Sequence, residues 1–376
     1  MKPANIHIDK IRITAQWTHK PTGKVHYFDE NVDGLVPSGS ATANQKALKD
    51  GGEAAYIKSK GIDDNEVAHL IEIHCCPPLV LQKHNLFGHC VLQDYVYSIL
   101  DLAAKRLDLP VDAAQREEWK KGDVSITEIH LTANFRCPRT AVLPIIDAID
   151  AAYTQGKWRS EPTSITVHGA KRRRSKSHAL TVYAKAIQLA SVFKTANGSK
   201  KLGKYQSLLM EEALKGIRAE VKLYSEELKY LELGRVGNWE GVDVTALYFQ
   251  FLNKYRVTHC IQKLLTDDEI ATLSRGERKI YTLWLSKVNL EDHYCRTSLW
   301  KYAKAIEDKV KIDILGRRPD KLPPVETSEI FVPENVLPVP AWALGTEYYS
   351  PPCSVALPKR GRGIGNVPIP DGELDD

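Results

Sequence analysis

Ile126-Thr127-Glu128-Ile129-His130-Leu131-Thr132 is the stretch from which the rest of the chain can be read. Successive side chains of a strand point to opposite faces. As a strand, this run sends Glu128, His130 and Thr132 to one side and Ile129 and Leu131 to the other. Three further runs repeat the arrangement. Leu70 to His74 places Glu72 and His74 together. Leu180 to Lys185 places Thr181, Tyr183 and Lys185 opposite Leu180 and Val182. Ile217 to Leu223 gathers Arg218, Glu220 and Lys222. An antiparallel sheet with one solvated face yields the same alternation. Solvated faces favour Lys, Glu and Thr, however, whereas His, Tyr and carboxylates recur here at equivalent depths.

Outward from these runs, Ile8 to Trp17 also alternates and reads as a strand, as do Val124 to Phe135, Ile165 to Val167 and Ala179 to Leu189. Residues 18–64 are polar, with Pro21, Gly23, Gly34, Pro37 and Gly39 marking turns. Val91 to Leu107 and the run from Pro138 to about Ala152 have helical character, and the chain becomes mainly helical after residue 225. Eleven of the 20 prolines lie beyond residue 316, and the chain ends acidic. The expected fold is α+β: a largely antiparallel sheet with a polar catalytic face flanked by helices, then a C-terminal helical module and a Pro-rich tail. The corresponding divisions are 1–235, 236–314 and 315–376, the last an extended, flexible tail.

The 376 residues, 43% apolar and 26% charged, suit a globular protein with a substantial core. A net charge of +5 permits a polyanionic partner without requiring one. The seven cysteines include no Cys-x-x-Cys pair, so neither a zinc module nor a disulfide framework is indicated. The N-terminus carries no apolar signal core and no run reaches membrane-spanning length, which points to the cytosol and away from a membrane.

The polar face suggests a chemistry. Histidine and carboxylate groups such as Glu72, His74, His130 and Glu220 can hold a divalent ion that polarises a phosphate oxygen. A tyrosine aimed at the phosphorus can attack it and form a phosphotyrosine. The free phenol has a pKa of about 10, so a neighbouring cation such as Lys185 favours the phenolate. Just upstream, Lys171, Arg172, Arg173, Arg174 and Lys176 put five cations in six residues, which suits a phosphate backbone and equally suits a solvated loop. Glu277 to Val288, a turn, then Arg296 to Ile306 has a helix-turn-helix look, with Arg296, Lys301 and Lys304 available to DNA.

Five ordered segments resemble the gene II/gene X replication proteins of filamentous phages and, more distantly, plasmid rolling-circle initiators. Gln82, His84, Asn85, Phe87 and Gly88 match a family block in which Lys83 replaces the usual Gly. Ile126 to Phe135 is similar to a strand in which an Asp is common at the place of His130. Ala179 to Lys185 resembles the segment that carries the nicking tyrosine, Ile217 to Val221 an Arg-x-Glu strand, and Ser298 to Tyr302 a stretch near the C-terminus. The matches run over roughly residues 8–312.

The resemblance implies an enzyme that nicks one strand of the replicative duplex at a phage origin. It would stay joined to the 5′ phosphate, leave a 3′-OH primer and later rejoin the displaced strand. Tyr183 is then the nucleophile and Lys185 its helper. His130 and Glu220 are the leading ligands for Mg2+ or Mn2+, with Glu72 or His74 completing the set. Lys171, Arg172, Arg173, Arg174, Lys176, His84, Asn85, Arg218, Arg296 and Lys301 are the DNA-binding candidates, though His84 and Asn85 equally suit a helix cap. Origin DNA in double- and single-stranded form, a host helicase and a host polymerase are the implied partners, in the bacterial cytoplasm. Two competing readings are a non-enzymatic DNA-binding regulator with the same fold and a nuclease that activates water.

Overall fold

The alternating runs form strands, one of them only in part, in the computed structural model, which describes residues 5–349 apart from 22–24, 32–33, 42–52, 154–156, 160, 170, 173–174, 198–201, 256, 258–264, 287, 311, 313 and 316–326. The strands are β1 (His7–His19), β2 (Val25–Asn31), β3 (Gly34–Ala41), β4 (Glu53–Ile62), β5 (Ala68–Cys75), β6 (Val124–Arg136), β7 (Lys157–Trp158), β8 (Ser164–His168), β9 (Lys171–Arg172), β10 (Ser175–Lys176), β11 (His178–Tyr183) and β12 (Gly216–Tyr224). All but β9 and β10, which pair with each other, join one sheet in the order β3-β2-β4-β5-β1-β6-β12-β11-β8-β7. Neighbouring strands run antiparallel throughout.

The helices are α1 (Pro77–Gln82), α2 (Leu92–Leu107), α3 (Ala113–Lys120), α4 (Val142–Ala152), α5 (Lys185–Asn197), α6 (Lys204–Ala213), α7 (Ser225–Tyr230), α8 (Val244–Lys254), α9 (Asp267–Thr272), α10 (Arg275–Leu285) and α11 (Arg296–Val310). Among the described residues no helix is long and apolar enough to cross a membrane. The apolar face of the central strands, including Ile11, Ile13, Ile73, Ile129, Leu131, Ala219, Val221 and Val182, shares one core with α2, α4 and α8 through Val96, Ile99, Ile146, Ile149, Tyr248 and Phe251. Burial of these side chains is the main drive for the fold. Tyr248, inside that core, donates its hydroxyl to the carbonyl of Ala219 at 3.1 Å, so its polar end is satisfied.

Three sequence expectations need correction. Residues 18–64 contribute β2, β3 and β4 rather than turns alone. Pro37 lies in β3, the edge strand, where the missing N–H removes no ladder bond of an interior strand, and it pairs with Phe28 beside a register shift. The strand expected over Ala179 to Leu189 stops at Tyr183, and Lys185 opens α5 instead of sharing a strand face with the tyrosine. Straight-chain and small residues in Lys185-Ala186-Ile187-Gln188-Leu189-Ala190 favour helix over strand.

The third correction concerns the C-terminal third. α8 packs on the sheet core, so the boundary at 236 falls too early. A separate core begins at Leu265 and joins Leu273, Ile280, Tyr281, Trp284, Leu299, Ile306 and Val310. Capping boxes at Thr266/Glu269 and Ser274/Glu277 start α9 and α10 there. The stretch 327–349 is not an extended tail. Phe331 and Val336 enter the main core, Leu337 donates its N–H to the Asn134 carbonyl at 2.8 Å, and Ala343 is fully buried. Residues 350–376, with the basic Lys359 to Gly363 stretch, lie outside the described residues.

Candidate active site

A bulge, more than the alternation, builds the centre of the polar face. His7 pairs with Thr132, Ile8 with Leu131 and Lys10 with His130, so Asp9 is an extra residue between two ladder positions. Strict alternation would send Asp9 into the core beside Ile11 and Ile13. The bulge re-aims it, as bulges near active sites do. Asp9 on β1, His130 on β6 and Glu220 on β12 thereby meet, each offering a ligand atom within 4.8 Å of the others. All three are buried.

The hydrogen bonds leave this trio open on one side. Asp9 accepts through Oδ1, from Arg218 at 2.8 Å and from Asn85 Nδ2 at 2.9 Å. Glu220 accepts through Oε1, from the Tyr183 hydroxyl at 2.5 Å, with Arg218 Nε 3.4 Å away. These hydrogen bonds leave Asp9 Oδ2, Glu220 Oε2 and His130 Nδ1, the last two 4.0 Å apart, with Lys222 Nζ also 4.0 Å from Glu220 Oε2. Two carboxylate oxygens and an imidazole nitrogen make a donor set that fits a divalent cation.

Charge around the trio is balanced by two buried cations. Arg218 is fully buried, donates to the Asn85 carbonyl at 2.5 Å and pairs with Asp9. Burial alone would raise the Asp9 carboxyl, but Arg218 and Lys185 outweigh it and hold Asp9 well below the usual carboxylate range. Lys185 Nζ bonds Asn85 Oδ1 at 2.8 Å and Gln188 Oε1 at 2.9 Å. Burial, reinforced by Arg218, lowers Lys185 to about 8. Tyr183 is pushed the other way. Burial raises its hydroxyl well above the ordinary value, and the carboxylates Glu220 and Asp9 add to this against Arg218. Lys185 Nζ lies 6.0 Å from the Tyr183 ring centre.

The structure thus gathers Tyr183, Lys185, His130, Glu220, Arg218 and Asn85 around one point. Asp9 is the residue that sequence reasoning missed, and an Asp inside an otherwise strictly apolar register was the available signal. Glu72 stands apart, bound to Lys60 at 2.5 Å. His74 is also outside the trio, with Arg12 NH2 3.3 Å from Nδ1 and Glu128 4.0 Å from Nε2. Burial, with the charge of Lys10, lowers His74 to about 3.

Burial sets two of the DNA-binding expectations, Arg218 and His84, apart from the surface, and a third, Asn85, is half-buried. Arg218 has no exposed surface with which to meet a phosphate. His84 is buried, within hydrogen-bonding distance of the Tyr348 carbonyl at 2.7 Å and packed edge-on against Phe87. Asn85 is a scaffold residue, touching Asp9, Lys185 and Arg218 at once. Arg296 and Lys301 are exposed on α11. Lys171, Arg172 and Lys176 lie in the paired β9 and β10, whereas Arg173 and Arg174 fall outside the described residues.

The family described as the N-terminal region of the phage gene II replication-associated protein matches residues 8–242, a span that holds the sheet except His7 and every side chain of this centre. The chain belongs to that family. As a phage replication-associated protein of this kind it acts in phage replication. No curated protein and no solved structure matches the chain.

Proposed function

We propose that this replication-associated protein nicks one strand of the double-stranded replicative form at a phage origin, with Tyr183 as the nucleophile. The observation that carries the reading is the hydrogen bond from the Tyr183 hydroxyl to Glu220, itself one of three converging donors. A routine solvated face is disfavoured, because His130, Thr132, Tyr183, Arg218 and Glu220 are all buried.

Asp9, His130 and Glu220 would hold the divalent ion, Mg2+ or Mn2+. When bound, such an ion supplies Lewis-acid polarisation of the scissile phosphate and positive charge close to the phenol. Glu220 Oε1 is placed to receive the Tyr183 proton as the phenol oxygen bonds to phosphorus. The P–O3′ bond breaks, the 3′ oxygen takes up a proton, and the 5′ phosphate stays on Tyr183. Lys185 offers a cation to the charge that develops on the phosphate. The released 3′-OH primes synthesis by a host polymerase with a host helicase, and the displaced strand is rejoined by reversal of the transfer. Lys171, Arg172, Arg173, Arg174, Lys176, Arg296 and Lys301 serve the DNA backbone.

Incubation with supercoiled replicative-form DNA and Mg2+ or Mn2+, followed by a denaturing gel, tests the reading. The expected product is nicked DNA with protein on the 5′ end. Binding without nicking would instead favour the regulator, and nicking with a free 5′ phosphate the water-activating nuclease.

Two further outcomes follow from the geometry. Asp9→Asn and Glu220→Gln should each weaken Mn2+ binding by at least about 10-fold, since each removes a charged donor; calorimetric titration of the full chain reads this directly. With Lys185 lowered to about 8, nicking should decline as pH rises through about 8 and the cation is lost, and Lys185→Arg should remove that decline. Stability has the opposite sign. The folded chain favours neutral Lys185, so the unfolded chain binds more protons between about 8 and the ordinary 10.5, and this residue's contribution to stability rises across that window. A rate profile flat through pH 8 in the wild type would remove the Lys185 cation from the chemistry.

A further inference from the structure

His130 has a carboxylate on each side. Its Nε2 is 2.9 Å from Glu128 Oε1, and its Nδ1 faces Glu220 Oε2 at 4.0 Å. Glu128 stands two residues earlier on the same strand face, so its side chain reaches the ring from the side away from Glu220. The other Glu128 oxygen, Oε2, lies 3.4 Å from Arg12 Nε and 4.0 Å from His74 Nε2, and only 15% of the side chain is exposed. Cross-strand pairing sets this up: Arg12 stands opposite Glu128, and Lys10 opposite His130. The carboxylate is therefore held from β1 as well as from its own strand.

An ionised carboxylate only accepts hydrogen bonds, so the contact with Glu128 requires the ring proton on Nε2. A neutral imidazole then carries its lone pair on Nδ1, the nitrogen that looks toward Glu220 and Asp9. We infer that Glu128 is a positioning residue that fixes the His130 tautomer and turns its Nδ1 into a metal donor. This rests on the metal centre proposed above and adds how its one nitrogen ligand is prepared. A carboxylate bonded to the far nitrogen also raises the basicity of the ligating one. The site then has two oxygen donors of full charge and an imidazole made more electron-rich by a third carboxylate, which suits Mn2+ better than the all-oxygen preference of Mg2+.

The test uses the full chain and two readouts. In metal-free protein carrying 15N-labelled histidine, with His130→Asn for assignment, the neutral form of the ring should carry its proton on Nε2. Glu128→Ala should shift His130 to a mixture of tautomers, and Glu128→Gln, which still accepts through its amide oxygen, should restore the Nε2–H form. Mn2+ binding followed by electron paramagnetic resonance should weaken about 10- to 100-fold in Glu128→Ala, and less in Glu128→Gln. A neutral wild-type ring with its proton on Nδ1 overturns the inference whatever the metal does. Binding lost in Glu220→Gln but retained in Glu128→Ala overturns the role of Glu128 and leaves the metal centre standing. Absence of Mn2+ binding in the wild type overturns both. If Glu128→Ala does not fold, the wild-type tautomer and the Mn2+ affinity of Glu128→Gln decide the same two questions.

Discussion

Replacing Tyr183 with Phe is expected to abolish the covalent protein–DNA product and to slow nicking by more than about 10³-fold, the scale seen when a nucleophile is removed outright. The change deletes one oxygen, leaving the ring in place within the buried face. Glu220 loses a hydrogen bond but keeps Arg218 close by, with Nε at 3.4 Å from Oε1. Loss of a single such bond amounts to about 1 kcal/mol of stability, so the variant should remain folded and bind DNA nearly as well as the wild type. Gel detection of the 5′ adduct and a filter-binding assay on the same preparation separate chemistry from recognition. Full nicking by the Phe variant would eliminate Tyr183 as the nucleophile.

The second large effect concerns stability. Arg218→Met should destabilise the fold by about 3–5 kcal/mol, because it strands Asp9 as an unpaired charge in the interior. The guanidinium reaches Asp9 at 2.8 Å and the Asn85 carbonyl at 2.5 Å, and it lies against the Tyr183 ring at 5.9 Å. Lysine offers a point charge without the planar fork, so Arg218→Lys should recover only part of the loss. Urea unfolding monitored by tryptophan fluorescence gives both numbers. A loss below about 1 kcal/mol in Arg218→Met would mean that Asp9 is solvated or protonated rather than held as an ion.

Much of the architecture can be read from β6, β12 and β11, where two-residue alternation separates the core face from the polar one. Their polar residues sit where periodicity puts them. Asp9 escaped because a bulge breaks the very period on which the reading depends. Lys185 reaches Asn85 beside the centre by a route that strand periodicity does not show: the chain has already turned into α5, and Asn85, 100 residues away, holds the amine. Burial separated Arg218 and His84 from the surface cations, and residue type does not reveal burial when the partners are distant in sequence. β2 to β4 were hidden by glycine, proline and polar residues that an edge region tolerates. In the Pro-rich region, 327–349 was obscured because composition does not show that Phe331 and Ala343 have a core to enter.

That last segment also bears on timing. His84 and Tyr348 are 264 residues apart in sequence, yet they meet, and Phe87 beside them packs on Trp342 and Tyr349. Between His84 and Phe87 lies Asn85, the residue that aligns Asp9, Arg218 and Lys185. A chain growing from its N-terminus has every strand of the sheet long before it has the aromatic cluster that seats this loop. Distant contacts of this kind are slow to close. Seating of this loop is thereby tied to the last part of the chain to be made, and a ribosome-bound chain that holds every side chain of the centre still lacks the contacts that align them.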